Sequence, residues 1–402
     1  MNKLQKLLLG KPFILALWFG LSLFALVKNA ATSNTTEKYN NYIVYKHNFL
    51  NEIQQHSLFG PQPQYYFDLN HYGPVFALII APFTFLPDGI SSILWGLFNA
   101  GILYLAIMKL PLAENRKLLI LLLGANSMML SSANVEVNPL IAALIIFSMV
   151  FIHNKKDFWA ALMIVLGTAI KLYGIVGLAF FFFSDNKLKL VLSTFFWAVV
   201  LFVLPMFISS PAFIISAYHD WYPDLVAKNA ANLVSNRAYV CVMGMISNLL
   251  KIQVPNLLVL VPALALFGAS LLRIKFWQNL QYRLLLLSST LIFTVIFSSG
   301  SEPPTYIIAF IGVGIWFMNL QRPVTTTEKA LLIFALIITS FGPSDILPKY
   351  FRVNYILPYK LIALPCLLVW LKIIYEMLTR KFELEVQDYL PQDCSLAMPA
   401  EL

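Results

Sequence analysis

The sequence predicts an all-α protein that crosses a membrane many times, and three observations carry that reading. Of 402 residues, 59% are hydrophobic and only 12% charged, against about 25% charged in an ordinary soluble domain, which leaves too little polar surface to coat water-soluble domains. The apolar residues form long helical runs, not ten-residue alternating segments, which selects helices over a β-barrel. Cys241, Cys366 and Cys394 lie far apart with no CxxC pair, excluding a disulfide framework, a zinc ribbon and a thioredoxin-like redox centre. The net charge of +9 reads as lysine and arginine retained in short cytoplasmic loops, not as a nucleic-acid footprint.

Taken in order, the first 28 residues begin with Lys3, Lys6 and Lys11 and continue into the apolar run Phe13–Val27. Without a small-x-small cleavage site this is a first crossing with its N-terminus inside, not a signal peptide. Single crossings follow at 118–130, 139–152, 188–208, 255–272, 284–299, 304–319, 329–343 and 359–378. Two stretches are ambiguous: 74–108, broken by Pro82, Pro87, Asp88 and Gly89, and 158–183, with Lys171 near its middle. If 74–108 crosses once and 158–183 twice, 18 of the 28 lysines and arginines fall inside and 10 outside, which follows the positive-inside rule; the reverse choice does not. The expectation is therefore about 12 transmembrane helices in residues 1–380 with both termini cytoplasmic, followed by a cytoplasmic C-terminal tail, 381–402.

This topology gathers the reactive side chains on the outer face. The first outer loop, Asn29–Gly73, carries nine aromatic residues, so it is expected to be ordered. Tyr42, Tyr45, Phe49, Leu50 and Ile53 share one helical face, which predicts a helix lying on the membrane. Asp68 and His71 are three apart just before Tyr72-Gly73-Pro74, close enough for a carboxylate or imidazole to take a proton from a hydroxyl. Glu136 and Asn138 sit between two apolar runs, and Lys171 interrupts another. A charge in such a setting costs roughly 2.5–3.5 kcal/mol on insertion scales, so Glu136 and Lys171 are read as functional, although Lys171 could also snorkel outward. His219 and Arg237 in the loop after residue 208, and Arg352 in the last outer loop, add groups suited to a phosphate headgroup. There is no Gly-rich phosphate loop, nucleotide fingerprint, HExxH or GxSxG elbow.

Four stretches then resemble the GT-C glycosyltransferases, specifically glycosyltransferase family 87, which includes polyprenyl-phosphate-mannose-dependent mannosyltransferases. They are Asn41-Tyr42-Ile43-Val44-Tyr45; Tyr72-Gly73-Pro74 with Ala81-Pro82-Phe83 and Leu94-Trp95-Gly96-Leu97-Phe98-Asn99; Glu136-Val137-Asn138-Pro139; and Ala169-Ile170-Lys171. The resemblance implies an inverting transfer of a hexose, often mannose, from a polyprenyl-phosphate donor to a hydroxyl of a lipid or glycan acceptor. It places the active site on the extracytoplasmic side of the cytoplasmic (inner) membrane. The family's early-loop carboxylate is replaced here by Asn40 and Asn41, and its later His-containing stretch by Ser301-Glu302-Pro303-Pro304. The expected catalytic carboxylate is accordingly Asp68, or Glu37. Lys171, Arg237 and Arg352 are expected to hold the donor phosphate. His71, Tyr72, Glu136, Asn138, His219 and Glu302 are expected to contact substrate, with membrane lipid around them and with no metal, cofactor or nucleic-acid partner. The rival readings are a transporter or flippase of a lipid-linked precursor, against which the polar residues are one-sided and no internal repeat is found, and an inactive membrane scaffold.

Overall fold

The computed structural model describes residues 10–32, 38–235, 238–320 and 323–382, and among these it is helical with no β-strand. In chain order the helices are α1 (Lys11–Ala31), α2 (Asn40–Gln54), α3 (Phe76–Ile80), α4 (Asp88–Met108), α5 (Glu114–Ala133), α6 (Asn138–His153), α7 (Asp157–Ile170), a 3₁₀ helix Leu172–Phe183, α8 (Lys187–Val203), α9 (Pro211–Val234), α10 (Val242–Leu250), α11 (Asn256–Leu271), α12 (Leu280–Ile296), α13 (Tyr306–Asn319), α14 (Thr326–Phe334) and α15 (Ala363–Thr379). Three segments of 21 residues each, Lys11–Ala31, Asp88–Met108 and Lys187–Phe207, are long and apolar enough to cross a membrane. The other apolar helices, among them Asn138–His153 and Leu280–Ile296, are shorter, so three spans stand out by length and composition within a bundle that mixes long and short helices.

Polar contacts define the two ends of this bundle. Lys11 meets Glu114 at 2.7 Å, Arg116 donates to Met318 O at 2.9 Å, and Arg283 donates to Phe183 O at 3.1 Å. These mark a basal end. Asn29 donates to Ala133 O at 2.9 Å, Asn138 approaches Thr305 Oγ1 at 3.5 Å, and Tyr173 shares a 2.8 Å bond with Ser298. They mark the apical end, where α2 and α9 also lie.

The stretch 158–183 is a hairpin. Ser184 Oγ donates to Asp157 Oδ1 at 2.7 Å, which returns the chain to the start of α7. A Cβ on Gly174 would lie 2.2 Å from the Gly167 carbonyl carbon, so only glycine lets the two backbones touch below the turn. The returning arm is wound as a 12-residue 3₁₀ helix. At about 2.0 Å per residue it reaches about 24 Å, where an α-helix of that length would reach about 18 Å. The tighter coil gives this short arm more length than an α-helix of the same residues would have.

The surface-helix expectation for α2 needs correction. Tyr42, Tyr45 and Phe49 are buried against protein: the Tyr45 ring lies 5.3 Å from Phe76 and 5.9 Å from Trp95, both edge-on. Only Ile53 of the predicted apolar face stays exposed. The helical period showed correctly that one face is covered, but the cover is α3 and α4. The loop after residue 208 is also more ordered than a connection, since Pro211–Val234 forms a 24-residue helix capped by Ser210.

Candidate active site

The apical polar cluster is built around the turn between α5 and α6. The end of α5 closes with two bonds, from Val135 N–H to Ser132 O at 2.9 Å and from Glu136 N–H to Ser131 O at 3.1 Å, the double bond of a Schellman cap. The left-handed position of that cap is normally glycine, and here it is Val135, at φ 52° and 1% exposed. A β-branched residue in this region is strained. The turn fixes the backbone of Glu136 immediately after it, and Pro139 then starts α6.

Glu136 accepts from two amides: Asn138 Nδ2 at 3.0 Å on Oε2, and Asn41 Nδ2 at 3.3 Å on Oε1. Asn41 comes from the first turn of α2 and also donates to Asn134 O at 2.8 Å. Lys171, at the bend of the 158–183 hairpin, donates to Asn138 Oδ1 at 3.0 Å and lies 4.7 Å from the centre of the Tyr173 ring. A continuous chain therefore runs Asn41, Glu136, Asn138, Lys171, Tyr173. Thr305 Oγ1 closes the other side, accepting from the Glu302 N–H at 3.2 Å and lying within 3.5 Å of Asn138 Nδ2.

Burial pushes the Glu136 carboxyl up to about 7; Lys171 and Lys228 oppose the shift, while Glu302 and Asp68 add to it. The group lies in the turn between helices, outside the spanning segments. Tyr72 is pushed up to about 12, chiefly by burial, and its hydroxyl lies 3.3 Å from that of Tyr45. Both remain neutral phenols in ordinary buffers.

Of the residues expected from sequence, Glu136, Asn138, Lys171, Tyr72 and Glu302 come together in this cluster. Asp68 is exposed, and its Oδ1 accepts from the next backbone N–H, that of Leu69, at 2.8 Å. It is near enough to act on Glu136 and Tyr45 electrostatically. His71 is bonded through Nδ1 to Asp224 Oδ2 at 2.7 Å, and Trp221 Nε1 donates to the His71 carbonyl at 2.9 Å. These two bonds tie α9 over the loop that leads to α3. His219 is exposed on α9 beside Asp220. Arg352 is ion-paired with Asp345, outside the chain of contacts around Glu136. Glu37 and Arg237 lie outside the described residues. Sequence reasoning did not pick out Tyr173 or Thr305; only the adjacency of Tyr173 to Lys171 was a local signal.

A carboxylate and a cation bridged by the neutral Asn138 amide lie at one end of an apolar helical bundle, and the class that this architecture defines is a membrane protein. The family model for glycosyltransferase family 87 matches residues 70–299, and the chain belongs to that family. The match includes His71, Tyr72, Glu136, Asn138, Lys171 and Asp224, and stops short of Asn41 and Glu302. No curated protein matches the chain.

Proposed function

We propose that this glycosyltransferase moves a hexose, mannose foremost, from a polyprenyl-phosphate carrier to a hydroxyl of a lipid or glycan acceptor, with inversion, at the extracytoplasmic face of the inner membrane. The observation that carries the proposal is Lys171. It is a cation at the bend of the hairpin whose hydrogen-bond partner is the neutral Asn138 amide, and it has no carboxylate within ion-pair distance among the described residues. A phosphate at that depth, held there by its own lipid, would supply the missing anion and receive a charge-assisted hydrogen bond. As the sugar–phosphate bond breaks, negative charge grows on the leaving phosphate, where a fixed cation stabilises the transition state most. Lys228, and in the same proposal Arg237 and Arg352, extend the positive field.

The decisive experiment offers the purified protein a polyprenyl-phosphate mannose or a nucleotide sugar with octyl mannoside as acceptor. Transfer from the lipid donor alone is expected; transfer from the nucleotide sugar alone rejects the reading. Sidedness is read by single cysteines at two exposed positions. Asn134→Cys at the apical end should react with an impermeant thiol reagent from outside, and Asn115→Cys at the basal end should not.

A further inference from the structure

We propose that Glu136 is the general base of the transfer reaction. This rests on the glycosyl-transfer reading above and deepens it by assigning the proton acceptor, which the sequence placed at Asp68 or Glu37.

Glu136 is half-buried as a residue and not fully enclosed by the protein. Its two oxygens are oriented by Asn41 and Asn138, each through a single amide N–H, and a carboxylate has about four lone-pair sites. Accepting capacity is therefore left over for a substrate O–H. Asn138 bonds Glu136 with its nitrogen and Lys171 with its oxygen, so one side chain sets the spacing between the base and the cation that meets the leaving phosphate. The strained Val135 cap persists only because the packing around it holds the turn in this one form.

The alternatives are less well placed. Asp68 is exposed and bonded to its neighbouring backbone. His71 is oriented by Asp224 as a base would be, but its Nε2 is buried with no partner, so no substrate hydroxyl reaches it in this form. Glu302 joins the Pro303–Thr305 turn through its backbone, its N–H donating to Thr305 Oγ1 at 3.2 Å and its carbonyl accepting from the Thr305 N–H at 2.9 Å.

In the step itself, the acceptor O–H proton passes to a Glu136 oxygen as the acceptor oxygen bonds to the anomeric carbon. On the opposite face of that carbon the C–O bond to phosphate breaks, and its electron pair leaves on the polyprenyl phosphate, beside Lys171. Water then takes the proton from Glu136. The charged and titratable groups facing Glu136 are Lys171 on the hairpin, Lys228 on α9, Glu302, Asp68 and the Tyr45–Tyr72 pair. With the carboxyl at about 7, proton acceptance is matched to neutral pH.

The test compares Glu136→Gln with the double variant Asn41→Asp/Glu136→Gln in detergent-solubilised full-length protein, using polyprenyl-phosphate mannose and octyl mannoside. Loss of a general base lowers rate by about 10²–10⁴-fold, so Glu136→Gln should fall in that range while still binding polyprenyl phosphate. Because Asn41 lies 3.3 Å from Glu136, the double variant returns a carboxylate to the same pocket and should recover at least tenfold of the loss. A role confined to hydrogen bonding would survive in Gln and would gain nothing from Asp at position 41. Rates within threefold of wild type in Glu136→Gln, with a hundredfold loss in Asp68→Asn or His71→Ala, overturn the assignment. So does a double variant no better than the single one. A separate infrared titration of the carboxyl C=O band needs no turnover. A band titrating near neutrality in wild type and missing from Glu136→Gln supports the assignment, and a carboxyl already fully ionised at pH 5.5 refutes it. If wild type neither binds nor uses any polyprenyl-phosphate sugar while that band is present, the donor reading has failed, independently of the ionisation of Glu136.

Discussion

Arg283 at the basal end and Lys171 at the apical end are both cations set among apolar helices, and they are bonded in opposite ways. Arg283 donates to Trp277 O at 2.7 Å, to Phe183 O at 3.1 Å and to the Gln278 side chain, and its guanidinium lies over the Phe183 ring. It ties α12 to the end of the hairpin, and its donors are spent on backbone carbonyls. Lys171 has three donors and gives one to the Asn138 side chain. Charge alone therefore does not mark a functional residue in this bundle. The distinction lies in whether the bonding capacity of the charge is filled by the protein or left for a ligand.

Paired substitutions sharpen that contrast and carry the largest expected effects. Lys171→Met should leave thermal stability in detergent within a degree or two of wild type and lower kcat by about 10²–10³-fold, the usual effect of removing one donor that stabilises transition-state charge. Arg283→Met removes several hydrogen bonds to a charged donor, each worth about 1.5–3 kcal/mol. It should lower stability by on the order of 3–5 kcal/mol, while the protein that remains folded transfers sugar at a near-normal rate. Equal melting losses in the two variants, with activity following the folded fraction in both, would put Lys171 in the same structural role as Arg283.

A smaller effect is expected at Glu52 on α2. Its side chain is fully buried, neither carboxyl oxygen has a partner, and burial raises the group from 4.5 to about 9. The folded state therefore holds a proton that the unfolded chain has released, so stability is greatest below pH 4.5 and declines as pH rises toward 9. Holding that proton at pH 7 costs on the order of 3 kcal/mol. Glu52→Met should accordingly raise stability by about 1–3 kcal/mol at pH 7 and flatten its dependence on pH, read from melting curves at pH 5.5 and 8. A destabilised variant with an unchanged pH slope would mean that Glu52 is ionised and partnered in the membrane-bound protein.

Much of this was legible in the sequence, for reasons that particular residues make plain. Runs of apolar residues announce helices, and the charge count chose a hairpin for 158–183 that the Ser184–Asp157 bond now displays. Glu136, Asn138 and Lys171 stood out because polar groups within or between apolar runs are costly, and all three meet in one hydrogen-bonded chain. What stayed hidden depends on contacts made across long sequence separations. The Asn41 bond to Glu136 spans 95 positions and the His71 bond to Asp224 spans 153, and neither follows from local spacing. The burial of Glu52 was hidden because a helical period reports that a face is covered and not which element covers it.

The smallest expected effect concerns the roof. The His71–Asp224 bond and the Trp221 bond to the His71 carbonyl hold α9 over the loop that enters α3. Gly73 completes the fit, since a Cβ there would lie 2.3 Å from Ala169 O and 2.9 Å from the Trp221 ring. With the Asp224 carboxylate accepting from Nδ1–H, the ring is fixed in one tautomer. Asp224→Asn keeps the shape and one neutral hydrogen bond but removes the charge assistance, which roughly doubles the strength of such a bond. The loss is about 1 kcal/mol. Because the Trp221 contact remains, the roof should loosen without detaching, and the expected result is a rise of about fivefold in apparent KM for the lipid donor with kcat changed less than twofold. Comparison with Trp221→Phe, which removes the other tether while keeping a ring beside Gly73, tests the division of labour: similar KM increases in each variant identify α9 as a donor-retaining cover. A hundredfold fall in kcat in Asp224→Asn with KM unchanged would instead move the proton transfer to His71, and with it the boundary between the groups that hold the pocket and those that react in it.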